Sequence, residues 1–282
     1  MIRISAFADE ISPDLDEQIA VLTSEHIHYL DLRSAWNVNV LALSDEQVDA
    51  IQRTLQARAI AVAAIGSPIG KVPIDSPFEA ELQRLERAFT LARTFQTPYI
   101  RIFSFYPPAT APQSGKGTDM PAHRGEVMRR MRVMSERARE AGVILLHENE
   151  KDIYGDTIAR CVDLMRGIAG NDHLRAAFDP ANFIQCGQTP FPDAYDALRP
   201  WLAYVHVKDA LPSGRVVAAG EGSARWHAFL ERLRADGYDG FLALEPHLAA
   251  AGHLGGFTGP ELFHYATQAL RGRLNNMGWA YL

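Results

Sequence analysis

Four apolar runs in this chain each end in a side chain able to bind a metal. They are Val143-Ile144-Leu145-Leu146-His147-Glu148, Leu174-Arg175-Ala176-Ala177-Phe178-Asp179, Leu202-Ala203-Tyr204-Val205-His206 and Phe241-Leu242-Ala243-Leu244-Glu245. Each has the length and composition of a strand, and each is followed by polar residues, asparagine or proline. The terminal Glu148, Asp179, His206 and Glu245 stand at intervals of 31, 27 and 39 residues. Those intervals suit one strand and one helix each, because parallel strands need a long crossover between them. Four successive strands carrying Glu, Asp, His and Glu at their C-terminal ends predict a (β/α)8 TIM barrel with a metal at its mouth.

The rest of the chain supplies the other units. Residues 2–7, 28–32, 60–65 and 99–103 read as the first four strands. Helical spacing of apolar residues marks 13–24, 44–57, 77–94, 123–141, 159–168, 192–198 and 226–235. Residues 109–120 are rich in Pro, Gln, Ser, Gly and Thr and are expected to form a mobile surface loop. The 282 residues, 47% of them hydrophobic, suit one barrel, and no linker divides the chain, so 1–282 is read as a single domain. The alternative is an open doubly wound sheet. Its early glycine-rich phosphate turn is missing, because the first glycine is Gly66. The Gly66-Ser67-Pro68-Ile69-Gly70-Lys71 segment lacks the spacing of a nucleotide-binding loop.

The net charge of −6 argues against a nucleic-acid partner. Cys161 and Cys186 form no disulfide framework, and the N-terminus turns acidic too early for a signal peptide. No apolar run reaches the ~18 residues of a membrane span. A cytoplasmic protein is therefore expected.

Three carboxylates and an imidazole make a hard, oxygen-rich shell. It suits Mn²⁺ first, then Mg²⁺, with Co²⁺ or Zn²⁺ as alternatives. Neighbouring strands lie about 4.8 Å apart, so inward side chains at adjacent strand ends can converge on one ion.

The motifs Ser5-Ala-Phe-Ala-Asp-Glu10, Ser67-Pro-Ile-Gly-Lys71, His147-Glu-Asn-Glu-Lys-Asp-Ile-Tyr-Gly-Asp156, Phe178-Asp-Pro-Ala-Asn182, His206-Val-Lys-Asp209, Gly220-Glu-Gly222 and Glu245-Pro-His-Leu248 occur in this order. Taken together, the chain resembles the xylose-isomerase-like TIM-barrel superfamily of sugar phosphate isomerases and epimerases. The resemblance covers nearly the whole chain. It implies that Glu148, Asp179, His206 and Glu245 hold the metal, and that the two glutamates also serve as acid and base. The superfamily often has His where this chain has Glu150 and Asn182. Those departures leave the metal set intact and open the questions of substrate and base.

The expected reaction is removal of a proton next to the carbonyl of a keto-sugar, giving an enediolate. Returning the proton to the other face gives an epimer, and returning it to the neighbouring carbon gives an isomer. Expelling a β-substituent instead makes the protein a lyase of 3-oxo-glycosides, including C-glycosides. An apurinic-site endonuclease and a non-catalytic sugar-binding barrel are further alternatives. The expected partner is a small sugar or keto-glycoside, without nucleic acid or membrane; a homo-oligomer or a small partner subunit stays open.

Other candidates lie nearby. Lys208, two residues past His206, shares its face and should touch substrate. His247, two past Glu245, is a substrate-binding candidate and a reserve base. Strand alternation turns His147 away from the interior if Glu148 points in; if the strand ends earlier, His147 is an acid/base candidate. Lys151 either neutralises the enediolate or pairs with Asp152 or Asp156. Ser67 and Lys71 are expected to contact a sugar hydroxyl or phosphate. Phe105 is the foremost of several aromatics, Trp36, Phe103, Tyr106 and Phe183 among them, that could stack on a sugar ring. Arg101 reads as structural, and Asp209 as orienting Lys208 or capping a helix.

Overall fold

The computed structural model describes residues 1–108, 120–168, 170, 172–252 and 255–282. Eight parallel strands close into a barrel: β1 (Arg3–Ala6), β2 (Tyr29–Leu32), β3 (Ala61–Ile65), β4 (Tyr99–Ile102), β5 (Ile144–Glu148), β6 (Leu174–Phe178), β7 (Leu202–Val207) and β8 (Phe241–Leu244). Each pairs with its neighbour in sequence, and β8 closes on β1 with Ser5 opposite Ala243. The predicted (β/α)8 fold is therefore the fold observed. The stretch expected to be a mobile loop lies, for 109–119, outside the described residues.

Helices α1 (Leu15–Ser24), α2 (Asp45–Ala57), α3 (Phe78–Thr94), α4 (Arg124–Ala141) and α5 (Ile158–Gly167) follow the first five strands. The short α6 (Pro180–Gln185) and α7 (Tyr195–Leu198) follow β6, α8 (Trp226–Ala235) follows β7, and α9 (Pro260–Asn276) follows β8. Local signals fix several ends. Ser44 and Gln47 form a capping box at the start of α2. Gly142 ends α4 in a left-handed conformation, φ 70°, which an L side chain rarely adopts. Helix α9 was not anticipated from the sequence.

Strand alternation divides the apolar residues into two cores. Ile4, Leu30, Leu32, Ile100, Ile102, Leu145, Val205, Val207, Leu242 and Leu244 belong to the larger core shared with the helices. Phe7, Ala63, Leu146, Ala177, Tyr204, Phe241 and Ala243 form the barrel interior. Burying each large aliphatic contributes about 1.5–3 kcal/mol. Truncating fully buried Ile100 to Ala should cost about 2–5 kcal/mol, because close packing around it relaxes little.

The interior is more polar than the exterior. At one end Tyr29 and Phe241 meet edge to face at 5.2 Å. Further up, Tyr204 donates to Asp31 Oδ1 at 2.6 Å and lies 3.1 Å from Ser5 Oγ. Above that the strands present charged residues to the C-terminal mouth.

Candidate metal centre

Glu148, the last residue of β5, points inward because Leu146 does, two positions earlier. Asp179 follows β6 and Glu245 follows β8, while His206 lies one residue before the end of β7. All four are at most 2% exposed. One ligand atom from each falls within 4.8 Å of the others. His206 Nδ1 stands 3.4 Å from Glu148 Oε1 and 3.3 Å from Glu245 Oε2.

The donor set fits a divalent ion. Asp179 Oδ2 and His206 Nδ1 are buried and meet only charged groups of the cluster, Lys208 for the first and the two glutamates for the second. Burial alone would push His206 down, yet Glu148 and Glu245 raise it to about 10. The same negative field that holds a proton on this imidazole would hold a cation in its place.

The shell around the four is cationic. Lys208 Nζ lies 2.7 Å from Asp179 Oδ2 and 3.3 Å from Glu245 Oε2. Against the cost of burial, those carboxylates raise its pKa. Arg101 Nη1 bridges Glu148 Oε2 at 3.1 Å and Glu245 Oε1 at 3.2 Å. Arg33 Nη1 donates to Glu245 Oε1 at 2.8 Å, and its Nε donates to Asp9 Oδ2 at 2.7 Å. Burial opposes ionisation of Glu245, but Lys208, His247 and His206 bring it well below the ordinary carboxylate range. Glu148 is also lowered against burial, by His206 and Arg101.

Neutral groups set the ligand geometry. The Asn149 and Asp179 positions exchange two bonds, Asn149 Nδ2 to Asp179 O at 2.9 Å and Asp179 N to Asn149 Oδ1 at 2.8 Å. Asn182 donates from Nδ2 to Glu148 Oε1 at 3.2 Å, and from its backbone to Asp179 Oδ1 at 2.9 Å. Asn182 thus braces two candidate ligands.

The remaining candidates divide into those near the cluster and those away from it. His247 Nε2 sits 2.9 Å from Glu10 Oε1 and 3.6 Å from Glu245 Oε1, so it borders the cluster. Glu10, Glu245 and His247 form a second group of potential ligands that shares Glu245. Lys71 pairs with Glu150 at 3.0 Å and lies over the Phe103 ring at 4.3 Å. Lys151 pairs with Glu150 at 2.6 Å and donates to Asn182 Oδ1 at 3.2 Å, rather than to Asp152 or Asp156. Asp209 accepts from the backbones of Gly220, Gly222 and Ala224, so it anchors the loop before α8.

Three candidates are placed away from the cluster. His147 faces the helices, as strand alternation requires: its Nε2 is 2.9 Å from Ser104 Oγ, and a Cβ on Gly155 would strike its ring. Burial pushes its pKa down to about 4. Ser67 is fully buried, its Oγ donating to the Arg101 carbonyl at 2.5 Å, so its hydroxyl is committed within the protein. Phe105 is also fully buried, under the Arg130 guanidinium at 5.2 Å, and has no face open to a sugar.

The sequence reading missed Arg33 and gave Arg101 a merely structural role. The signal was present. In Tyr29-Leu30-Asp31-Leu32-Arg33 and Tyr99-Ile100-Arg101-Ile102-Phe103 the aliphatics alternate with polar and aromatic residues. With the aliphatics facing the helices, the arginines must face the interior.

The sequence profile of the xylose isomerase-like TIM barrel matches residues 28–262. The chain belongs to that family. No curated protein matches it in sequence. Solved structures of the same fold include the probable 3-DHS dehydratase AsbF of Bacillus anthracis, with 18% identity and a TM-score of 0.74 over 96% of this chain and 99% of that one. A D-psicose 3-epimerase determined in the presence of D-fructose gives 16% identity and a TM-score of 0.74 over 98% and 100%. A xylose isomerase-like TIM barrel protein of Mycobacterium smegmatis in complex with magnesium gives 20% identity and a TM-score of 0.69 over 97% of each chain. At such identities the likeness is one of fold. Among the described residues, no helix is long and apolar enough to cross a membrane.

Proposed function

We propose that this family member is a divalent-metal-dependent carbohydrate isomerase or epimerase that enolises a keto-sugar. The convergence of Glu148, Asp179, His206 and Glu245 within 4.8 Å carries the reading. Mn²⁺ is the first choice of ion; the magnesium in the mycobacterial relative of the fold supports a hard divalent cation. Bound there, the ion supplies positive charge where a substrate oxygen becomes negative.

The chain's own residues do the rest. Glu245 takes the proton from the carbon beside the carbonyl, and the C–H electron pair moves toward the carbonyl oxygen. Arg33 and Lys208 keep Glu245 ionised and therefore able to accept. Arg101, between the two glutamates, keeps both in place and adds charge against the developing enediolate. Glu148, on the other side of His206, passes on a proton that it takes up from solvent, while Glu245 gives the abstracted one to solvent. Return to the opposite face gives an epimer, and return to the adjacent carbon gives an isomer. Lys71, Lys151 and His247 lie around the cluster as substrate contacts.

A second reading is a lyase of 3-oxo-glycosides, in which the same carbanion expels a β-substituent. The fold likeness to a probable dehydratase supports it, as do Glu150 and Asn182, which stand where the resemblance leads one to expect histidine. One experiment tests the shared first step. The protein with Mn²⁺ is incubated with keto-sugars and 3-oxo-glycosides in D₂O, and deuterium in recovered substrate is read by mass spectrometry. Carbon-bound deuterium is expected in at least one substrate. Conversion without exchange would overturn enolisation.

A further inference from the structure

Strands β1 and β8 meet where the barrel closes, without the strand–helix crossover that ties every other neighbouring pair. Groups beyond their ends must therefore hold this seam of the mouth together. Glu10, in the turn Ala8–Glu10 after β1, does so, and it is fully buried. Its Oε2 accepts from His247 N at 2.8 Å and from Thr258 Oγ1 at 2.7 Å. Its backbone carbonyl accepts from Thr258 N at 2.8 Å and from Gly259 N at 2.9 Å.

His247 is held in an unusual shape. Its φ of 47° lies in the left-handed region, where a residue with a side chain stays only if its surroundings enforce it. The bond from His247 N to Glu10 is that constraint. Gly256 closes over the ring from the other side, since a Cβ there would stand 2.0 Å from His247 Cδ2. The ring is left with Nε2 at 2.9 Å from Glu10 Oε1 and 3.6 Å from Glu245 Oε1. Glu10, Glu245 and His247 have the makings of an ion site, but a cation is already there. The buried Arg33 guanidinium lies 2.8 Å from Glu245 Oε1 through Nη1 and 3.6 Å from Glu10 Oε1 through Nη2. A second divalent ion would have to share both carboxylates with it, against its repulsion.

We propose that Glu10 is a positioning residue: it fixes His247 in its left-handed shape and so sets the imidazole as a rigid wall of the substrate site beside Glu245. The inference rests on the reading that a keto-sugar reacts at the four-residue cluster. Glu10 acts through His247 and takes no part in proton transfer. Its work is done by the two hydrogen bonds at Oε2, which a carboxamide oxygen can also accept. An imidazole fixed before substrate arrives loses little freedom on contact, so the effect falls on affinity rather than on the bound reaction.

Amide hydrogen exchange of the metal-free protein, read residue by residue by NMR, tests the seat. In Glu10→Ala the His247 amide should exchange about tenfold faster or more. The Thr258 and Gly259 amides, held by the backbone carbonyl of residue 10, should stay protected and report an intact fold. In Glu10→Gln all three should stay within about threefold of the wild type. Deuterium exchange into D-fructose by the Mn²⁺-loaded protein tests the consequence. Glu10→Ala should raise KM about tenfold or more, with the saturated rate and metal content within about twofold, and Glu10→Gln should keep the wild-type KM. In a His247→Gly background, where glycine suits the positive φ, Glu10→Ala should add no further rise. An unchanged His247 amide in Glu10→Ala, a Gln variant as impaired as the Ala variant, or KM effects that multiply in the double variant would overturn the positioning role. A second equivalent of Mn²⁺ in the wild type, lost in Glu10→Ala, would also overturn it and make the three residues a cation site. No carbon-bound deuterium in D-fructose would defeat enolisation of that sugar alone, and the amide result would still decide whether Glu10 seats His247.

Discussion

Arg33 at the end of β2 donates to Glu245, 212 residues later in the chain, across 2.8 Å at the barrel mouth. A charge-assisted bond this short and buried fixes the carboxylate. Arg33→Met should leave the Glu245 carboxylate ionised but no longer fixed in place. Substrate proton exchange should fall about tenfold or more, with metal affinity retained, because removing a competing cation does not weaken ion binding. Parallel calorimetry with Mn²⁺ and exchange kinetics check this split. A loss of metal with normal exchange per bound ion would give Arg33 a different role.

Asp179 accepts from the Asn182 backbone through Oδ1, leaving Oδ2 for Lys208 and for an ion. Asp179→Asn removes the charge and keeps the shape. Divalent-metal affinity should drop by about 10-fold or more, as measured by elemental analysis after equilibrium dialysis. Unchanged metal content would remove Asp179 from the ligand set.

Lys208 gives the metal-free site a cation between Asp179 and Glu245. Lys208→Met should destabilise the chelator-treated protein by about 3–5 kcal/mol, because buried carboxylates lose their partner. Added Mn²⁺ should raise the melting temperature of this variant more than that of the wild type, since the ion restores the missing charge and binds the folded state alone. An equal rise in both would show that Lys208 and the ion occupy independent electrostatic environments.

His147 makes folding pH-dependent. Its folded pKa is lowered by burial to about 4, from an ordinary value of 6.5. Between those values the unfolded chain binds a proton that the folded chain refuses. Stability is therefore fully present above about pH 6.5, declines as pH falls, and is lost from this source by about pH 4. A shift of that size corresponds to about 3 kcal/mol. His147→Gln should flatten the slope across this window. Urea denaturation at intervals from pH 4.5 to 7.5 measures it, and an unchanged slope would show that other groups govern the acid limb.

The barrel and the four-residue cluster were legible because β5 to β8 each carry a continuous apolar run that stops at a polar residue. Lys208 and His247 were legible from the two-residue period of the strand face. Ser67 and Phe105 were misleading: loop position suggested access, but the loops after β3 and β4 pack tightly on each other, with Phe105 N donating to Gly70 O and a Cβ on Gly70 blocked by the Phe103 backbone. The turn at Trp36 and Asn37 left no mark, since its flanking strands are two residues long and lack the usual glycine. Arg33 and Arg101 went unrecognised because charged residues in a barrel interior run against the expectation of an apolar core.

Glu245 meets Arg33, Arg101, Lys208 and His206, and this convergence makes it the proposed base. The most direct test compares Glu245→Gln with the wild type, both loaded with Mn²⁺ and matched for metal content, in D₂O with a converted keto-sugar or 3-oxo-glycoside. Exchange of the carbon-bound proton should fall ~10²-fold or more in the variant. Exchange at the wild-type rate in a fully metallated Glu245→Gln protein would contradict the assignment.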